Sequence, residues 1–279
     1  MKILRYAAFT LDGRGGNPAG VVLDAGGMTD VEMQALAVAI GYSETAFLAS
    51  AANDGPIALR YFSPRAEVAF CGHATIATAV ALAARDGVGP LRFATPVGEI
   101  AVATAIDANG DVIATLTSVP TTSTPASAAQ VADTLAALRW SADDLDARFP
   151  PHVAFAGEHH LVLAAATRAR LADLDYDFAA LDAVMAREQW ITVALVHADA
   201  PGVYAARNPF PPGGVVEDPA TGAAAAAFGG YLRDLDLATP GQPFTILQGA
   251  EIGRPSRLTV TPLHTGEVRV AGNAAEIVS

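Results

Sequence analysis

Short apolar runs separated by turn residues follow one another along the first half of the chain, with two longer helical patterns among them. Runs of about 4–8 residues bounded by Gly, Pro, Asn and Asp are typical of strands. One helix is predicted from Thr29, an N-cap residue with Glu32 three positions later, because apolar residues then recur at helical spacing. A second helix is predicted after Gly72, through Leu82 to about Ala84, and its apolar residues on nearly all sides indicate that a sheet encloses it. Strands are predicted at residues 3–9, 19–23, 46–49, 57–62, 91–94, 100–105 and 112–116.

The second half of the chain repeats the order of the first. The segment FPPGGVVEDPATGAAAAAFGGY from Phe210 aligns without gaps with FSPRAEVAFCGHATIATAVALA from Phe62, and this alignment places Pro219 opposite Cys71. Such internal similarity indicates two copies of one α+β unit that face each other across a pseudo-twofold axis. Chance agreement between two stretches rich in Ala and Gly is the alternative.

Residues 117–130, TSVPTTSTPASAAQ, are rich in Ser, Thr and Pro and contain almost no large apolar side chain. This composition is typical of a linker. We therefore predict an N-terminal domain of residues 1–118 and a C-terminal domain of residues 128–279.

Composition and charge narrow the class of protein. With 279 residues, 52% of them apolar, the chain can bury a large core. A net charge of -12 with only 17 Lys and Arg provides no basic surface for nucleic acid or an anionic membrane. The N-terminal segment lacks the apolar stretch of a signal peptide, and no run reaches the roughly 18–20 apolar residues of a membrane span. We therefore expect a soluble, cytoplasmic protein, and a single cysteine, which allows no internal disulfide, fits a reducing compartment.

Each copy of the repeat places a helix N-terminus after a turn rich in small residues, CGHAT in the first copy and DPATGA in the second. Helix N-termini carry unpaired N–H groups and the positive end of the helix dipole. Two such termini facing one cleft would bind a small anion such as a carboxylate.

Five segments in order carry a resemblance over nearly the whole chain: NPAGVV at 17–22, SETAF at 43–47, FSPRAEVAFCGHAT at 62–75, VVEDPATGAAAA at 215–226 and QGAEIGRPS at 248–256. With them the chain resembles the PhzF (phenazine biosynthesis-like) family of the diaminopimelate epimerase-like superfamily. The resemblance implies an α+β fold of two pseudo-symmetric barrel-like domains. Each would be a mixed sheet wrapped around a central helix, with the active site in the cleft between them and the last strand able to return to the first domain. It implies no metal and no organic cofactor, and the best understood relatives are isomerases that shift a proton on a cyclic dihydro-hydroxyanthranilate.

The same resemblance implies roles for individual residues. Glu44 would carry the proton, and His73 and Asp218 would line the site with it, while Gly72 and Gly222 would let the substrate approach the backbone. Glu44, His73 and Asp218 each have an ordinary structural alternative. These are, in turn, a solvated glutamate at a strand end, a histidine tied to backbone, and an aspartate that caps a helix. The other predicted substrate-binding positions are Ala74, Thr221 and Ala223, and relatives commonly carry serine at the last of these.

Cys71 suggests thiol or metal chemistry at first sight. Racemases of the superfamily use two thiols, one from each half, and no second cysteine exists here, so a two-thiol racemase is excluded and Cys71 is expected to be a small buried side chain. Zinc is disfavoured because Cys71 and His73 lack a second paired cluster, and because the adjacent His159 and His160 are poorly placed for joint ligation. Arg65 and Arg207 flank the segments before the two helices and are candidates for binding a carboxylate.

The sequence therefore predicts a cofactor-independent isomerase that moves a proton on a small, carboxylated substrate by general acid/base catalysis. An epimerase that uses Glu44 and Asp218 in place of thiols is one alternative. A ligand-binding protein that keeps the fold without turnover is another. The expected partner is a small-molecule substrate, without nucleic acid or membrane, and a homodimer is the candidate assembly.

Overall fold

A computed structural model describes residues 2–49 and 55–278. Contacts divide these residues into two compact units. The first unit runs as far as Thr117 and resumes at Ala271, and the second unit comprises Ser118–Val270. No helix in the described part of the chain is both long and apolar enough to cross a membrane.

A ring of hydrogen-bonded strands forms the first unit. Its strands are β1 (Ile3–Ala8), β2 (Asn17–Val22), β3 (Glu44–Leu48), β4 (Ile57–Phe62), β5 (Glu67–Val68), β6 (Pro90–Thr95), β7 (Gly98–Ile106) and β8 (Val112–Thr117), joined by the last strand of the chain, β17 (Val268–Glu276). Pairing follows the order β1, β2, β3, β4, β6, β7, β8, β17, and β17 pairs again with β1. The pairs β2–β3 and β4–β6 are parallel, so the sheet is mixed. The eight strands thus close into a barrel, which leaves no free sheet edge.

Two helices of the first unit confirm the apolar pattern of the sequence. Helix α1 (Asp30–Ile40) begins after Thr29, whose hydroxyl accepts from the Glu32 N–H while the Glu32 carboxylate accepts from the Thr29 N–H at 2.8 Å. Helix α2 (Gly72–Asp86) contacts β1, β2, β3, β7 and β8 and is buried throughout residues 73–83. Its mostly small side chains let an eight-stranded barrel close around it, because such a barrel has little interior space.

The second unit also surrounds a helix with strands. It contains β9 (Thr122–Pro125), β10 (His152–Phe155), β11 (His159–Ala164), β12 (Trp190–Ala200), β13 (Val203–Phe210), β14 (Val215–Asp218), β15 (Phe244–Gln248) and β16 (Ser256–Pro262). Pairing follows the order β9, β10, β11, β12, β13, β15, β16, and β14 pairs with the end of β13. Helix α6 (Gly222–Asp234) contacts β9, β10, β11, β12 and β16 and is buried throughout residues 224–232. The predicted α+β fold of helix-centred, barrel-like units is therefore confirmed.

Three further helices of the second unit share a separate apolar core. They are α3 (Ala128–Leu138), α4 (Arg168–Ala172) and α5 (Phe178–Glu188). Leu138, Leu171 and Met185, one from each helix, are fully buried in a cluster with the strand residues Leu161 and Leu195. The sheet of this unit therefore packs against these helices as well as against α6.

The linker predicted at residues 117–130 is wrong. Strand β9 pairs with β10 within this stretch, and α3 begins at its end. Ser127 and Gln130 form a capping box at the start of α3, in which the Ser127 N–H donates to the Gln130 side chain at 2.8 Å. Small polar side chains suited a linker by composition, but hydrogen bonding to a neighbouring strand decides whether such a stretch is ordered.

The gap-free alignment of the two halves is also wrong at its functional end. Cys71 is the N-cap residue of α2, and the N-cap residue of α6 is Thr221 rather than Pro219. The second copy has two more residues than the first between the end of the strand and the N-cap of the helix. They follow β13, where the pairing of β13 with β14 shifts register next to a short 3-10 turn. Because Ala-rich helices match one another in any register, the sequence comparison could not detect this offset.

Candidate active site

Glu44 and His73 come together where β3 and α2 begin. Glu44 is the first residue of β3, and His73 is the second residue of α2. Glu44 Oε2 lies 3.5 Å from His73 Nε2, and the two side chains are only 16% and 8% exposed. The hydroxyl oxygen of Ser43 lies 3.4 Å from the same ring nitrogen. The first unit therefore brings a carboxylate and an imidazole to within 3.5 Å of each other, largely screened from water.

Cys71 belongs to this group of side chains. Its thiol donates to Glu44 Oε2 across 3.6 Å, and its Sγ lies 3.3 Å from His73 Nδ1. The sequence predicted a small buried side chain, and Cys71 is buried, but it also contacts both acid/base candidates. Glu44, Cys71 and His73 offer one donor atom each within 4.8 Å of one another, a grouping of the kind that can hold a metal ion. No sequence motif joins Glu44 to Cys71 and His73, and only the fold adds this third donor.

A buried chain of hydrogen bonds supports the start of α2. The Tyr61 hydroxyl lies 2.7 Å from Thr75 Oγ1, and that hydroxyl donates to the Cys71 carbonyl oxygen at 2.7 Å. Burial raises the pKa of Tyr61, so its phenol stays protonated and able to donate. These contacts fix the backbone from which Cys71 and His73 project.

In the second unit, Asp218 and Thr221 form a corresponding polar pair before α6. Asp218 ends β14, and its Oδ2 accepts from the Thr221 hydroxyl at 2.7 Å. Asp218 was considered from sequence as the capping residue, but Thr221 occupies the N-cap position. In the part of the chain described, neither N-cap side chain, Cys71 or Thr221, accepts the usual capping hydrogen bond. The first-turn N–H groups of both helices are therefore not occupied by their own N-cap side chains.

Sequence reasoning assigned no role to Gln248, which holds this turn in place. Its buried side-chain NH₂ donates to the Asp218 carbonyl at 2.7 Å and to Thr221 Oγ1 at 3.1 Å, while its Oε1 accepts from the Thr221 N–H at 3.2 Å. Gly249 beside it has a φ of +78°, and a Cβ there would come within 2.6 Å of the Pro219 carbonyl oxygen. The segment QGAEIGRPS, noted only as a point of resemblance, thus supports the polar turn of the second unit.

We expect Gln248→Met to lower the free energy of unfolding and turnover together. Methionine fills a similar volume but removes the hydrogen bonds to the partly buried Thr221 N–H and to the Asp218 carbonyl, at about 0.5–1.5 kcal/mol for each bond lost. Urea unfolding and steady-state kinetics measure the two effects. The exposed Gln242 provides the matched control, and a Gln248→Met protein as stable as Gln242→Met would contradict the supporting role.

Arg207 and Arg65, the two arginines that the sequence suggested for binding a carboxylate, lie in different surroundings. Arg207 donates to both Glu217 carboxylate oxygens, with Nε to Oε2 at 2.9 Å, and to the Ala172 carbonyl at 2.7 Å. Its side chain is 7% exposed and that of Glu217 is 2% exposed, so this is a buried ion pair of the second unit. Arg65 is exposed in the turn after β4. The carboxylate-binding role predicted for Arg207 is therefore not supported by its surroundings.

The adjacent histidines of β11 lie in different environments. His159 is exposed, whereas His160 is fully buried with Nδ1 2.8 Å from the Thr192 hydroxyl. Burial lowers the pKa of His160 to about 3, so its ring is neutral at any ordinary pH. Successive strand residues point to opposite faces, and the two imidazoles therefore do not converge on one ion.

The eight predicted site residues fall into two groups. Glu44, Gly72, His73 and Ala74 lie in the first unit, where Glu44 and His73 meet. Asp218, Thr221, Gly222 and Ala223 lie in the second unit, where Asp218 and Thr221 meet. Ala223 is the second residue of α6, the helix position that His73 occupies in α2. The starts of α2 and α6 thus occupy equivalent positions in the two units, but they carry different side chains.

A barrel closed around a helix, with a second helix-centred unit in the same chain, defines the epimerase-like class of isomerase folds. A probable proline racemase from Agrobacterium radiobacter is similar to this chain with a TM-score of 0.65, over 99% of this chain and 90% of that one. At 14% identity this likeness shows the fold alone.

The chain belongs to the phenazine biosynthesis-like (PhzF) protein family, whose model matches residues 6–279. A relative from Pseudomonas fluorescens, named trans-2,3-dihydro-3-hydroxyanthranilate isomerase, is 33% identical over 263 residues, which cover 92% of this chain and 90% of the relative. A solved PhzF-family structure from Bacillus anthracis is 25% identical with a TM-score of 0.87, and the match covers 100% of this chain and 98% of that one. The resemblance read from the motifs is confirmed, and the protein is an isomerase-type enzyme.

Proposed function

We propose that this protein is a cofactor-independent isomerase that moves a proton on a small, carboxylated substrate, with Glu44 as the proton carrier. The approach of Glu44 Oε2 to His73 Nε2 at 3.5 Å, next to the start of α2, is the observation that carries the proposal. A carboxylate sheltered from water can take a proton from one carbon and deliver it to another before solvent replaces it. Glu44 is the only group of this pair whose charged form is the base.

His73 and the start of α2 supply the electrostatics of this proposal. Removal of a proton from carbon leaves negative charge on the substrate, and the N–H groups and dipole of a helix N-terminus stabilise such charge. The imidazole of His73 donates a hydrogen bond to the substrate or to Glu44, depending on which ring nitrogen carries the proton. Gly72, which has no side chain and is partly exposed at the first position of α2, is proposed to let a ligand approach the backbone of this turn.

Asp218 and Thr221 are proposed to contact a polar group of the substrate. The 2.7 Å hydrogen bond between them fixes the carboxylate before a ligand arrives, which lowers the entropy cost of binding. Gly222 allows close approach to the backbone, and Ala223 provides no hydroxyl where relatives commonly carry serine. The compound in the name of the Pseudomonas fluorescens relative is therefore the first to test, and we expect slower turnover of it here than by that relative.

Proton carriage by Glu44 has a measurable consequence in D₂O. We expect the product to acquire deuterium only partly at the carbon that receives the proton, because a sheltered carboxylate exchanges slowly with solvent. Asp218→Ala removes the acceptor of the Thr221 hydroxyl and leaves space for water, so turnover falls and the deuterium content of the remaining product rises. Mass spectrometry of the product measures both.

The outcomes of this labelling experiment separate the alternatives. Full deuterium incorporation by the wild type contradicts a sheltered carrier. Inversion at a single carbon with exchange of its proton favours the epimerase that uses Glu44 and Asp218. A ligand that raises the melting temperature but exchanges no proton favours a binding protein without turnover. A fully active Asp218→Ala protein with unchanged labelling would show that Asp218 has only a structural role.

Cys71→Ala separates this proposal from thiol catalysis. A thiol is a weak hydrogen-bond donor, so loss of its 3.6 Å contact with Glu44 is expected to lower turnover by less than about tenfold. Steady-state kinetics of the variant, with folding checked by circular dichroism, provides the measurement. Complete inactivation of a folded Cys71→Ala protein would require a chemical role for the sulfur and would overturn the proposed mechanism.

A further inference from the structure

We infer that Glu44, Cys71 and His73 form a binding site for a thiophilic divalent cation such as Zn²⁺, and that occupation of this site inhibits the enzyme. One donor atom from each of the three side chains lies within 4.8 Å of the other two. Cys71 Sγ is 3.6 Å from Glu44 Oε2 and 3.8 Å from His73 Nε2, and the carboxylate and ring atoms are 3.5 Å apart. Tetrahedral zinc with bonds of about 2.0–2.3 Å holds its ligand atoms roughly 3.3–3.7 Å from one another. The sulfur–oxygen and nitrogen–oxygen separations lie in this range, whereas the sulfur–Nε2 separation of 3.8 Å is longer, so the His73 side chain must turn to complete one face of a zinc tetrahedron.

The chemistry of the donors selects the kind of cation. A thiolate and an imidazole favour Zn²⁺ and related ions over Mg²⁺ or Ca²⁺, which prefer oxygen ligands alone. A thiolate and a carboxylate together carry the charge that neutralises a divalent ion, with His73 neutral. Cys71 is the N-cap residue of α2, and the helix dipole stabilises a thiolate at that position.

The orientation of the His73 ring must change when an ion binds. Cys71 Sγ lies 3.3 Å from Nδ1 and 3.8 Å from Nε2, so the imidazole must turn before Nε2 and the sulfur can reach the same ion. Three protein ligands leave the fourth tetrahedral position open to water. Binding therefore requires a turn of the His73 ring and loss of the thiol proton.

Inhibition follows from competition for one carboxylate. Glu44 cannot both bind a cation and accept a proton from carbon, so the occupied site cannot carry the proton. Metal binding itself depends only on the three donor atoms, whereas the loss of turnover rests on the proposed function of Glu44. The cation would therefore inhibit the enzyme and would take no part in the reaction.

Cobalt provides a direct test, because Cys71 is the only cysteine of the chain. Protein freed of metal by a chelator is titrated with Co²⁺ in the absence of substrate, and the near-ultraviolet absorption is recorded. A thiolate-to-cobalt charge-transfer band can arise only from Cys71, and we expect this band to saturate with a single ion per chain and to disappear on addition of Zn²⁺. Zn²⁺ should also slow alkylation of Cys71.

Ligand variants and a control complete the experiment. Cys71→Ala should abolish the band, and Glu44→Gln should weaken Zn²⁺ binding at least tenfold, since loss of even an outer-shell partner of a metal commonly costs about 10–100-fold. His264 is exposed, so His264→Ala should bind Zn²⁺ as tightly as the wild type does. This variant is the control for metal binding by histidines on the surface. Circular dichroism confirms that each variant is folded.

The inference is overturned if Co²⁺ binds without a sulfur band, or if Glu44→Gln binds Zn²⁺ as tightly as His264→Ala does. These readouts need no substrate, so they are independent of whether the proposed isomerase activity exists. Where a substrate is turned over, Zn²⁺ should stop turnover and a chelator should restore it. Turnover that persists with the cobalt band saturated would leave the metal site intact and contradict the proposed role of Glu44.

Discussion

Glu44→Gln is expected to lower turnover by roughly 10²–10⁴-fold, the contribution typical of a general acid or base. The amide has nearly the size and shape of the carboxylate, so the packing around His73 and Cys71 is retained. It cannot accept a proton from carbon, however, and the step that the enzyme accelerates is lost. Substrate binding should largely survive, because the N–H groups at the start of α2 are unchanged. Steady-state kinetics and calorimetric titration with substrate measure the two effects separately.

Glu99→Gln is the matched control for this change. Glu99 is exposed near the start of β7, where it forms an ion pair with Arg92 of β6, and it lies outside the group of buried acid/base side chains. Its replacement should leave turnover unchanged. Equal losses of binding and turnover in Glu44→Gln would indicate that Glu44 positions the substrate and does not carry the proton.

Arg207→Met is expected to have the largest effect on stability. The change leaves the Glu217 carboxylate buried at 2% exposure without its guanidinium partner. Breaking a buried ion pair from one side costs about 3–5 kcal/mol, because the remaining charge has neither water nor a counter-ion. Most single domains have a free energy of unfolding of only about 5–15 kcal/mol, so the variant should unfold at much lower urea concentration. Urea unfolding followed by circular dichroism measures the difference.

Two further variants test the cause of this loss. Arg92→Met breaks an exposed ion pair with Glu99 across a hairpin, and it should change the urea midpoint little, because water replaces the lost partner. The double replacement of Arg207 by Met and Glu217 by Leu removes both buried charges. It should recover much of the stability lost by Arg207→Met alone. No recovery in the double variant would show that packing or the bond to the Ala172 carbonyl, rather than the charge, dominates.

Short-range signals in the sequence were sufficient for several features of the fold. Thr29 and Glu32 lie three residues apart and cap α1 as predicted, because a capping box involves only the first turn of a helix. The apolar residues on nearly all sides of the helix after Gly72 predicted that a sheet encloses it, and the barrel encloses α2. Ser127 and Gln130 carried the same kind of capping signal for α3, which the Ser- and Thr-rich composition obscured.

The candidate site was only partly predictable in the same way. Glu44, His73, Asp218 and Thr221 were selected from motifs, and their catalytic roles remain predictions. The position of Thr221 opposite Cys71 in the repeat became evident only from the helix starts, since a two-residue difference between Ala-rich segments leaves no trace in a gap-free alignment.

The sequence by itself determined the family, the helix-centred α+β fold and the start of the first central helix, since motifs, caps and apolar periodicity act over a few residues. The tertiary structure alone decided which distant side chains meet. It placed the Cys71 thiol beside Glu44, and the Gln248 side chain on the turn at Thr221. Those contacts depend on strand pairing and on how a helix lies within its sheet, and such long-range geometry arises only when the whole core packs.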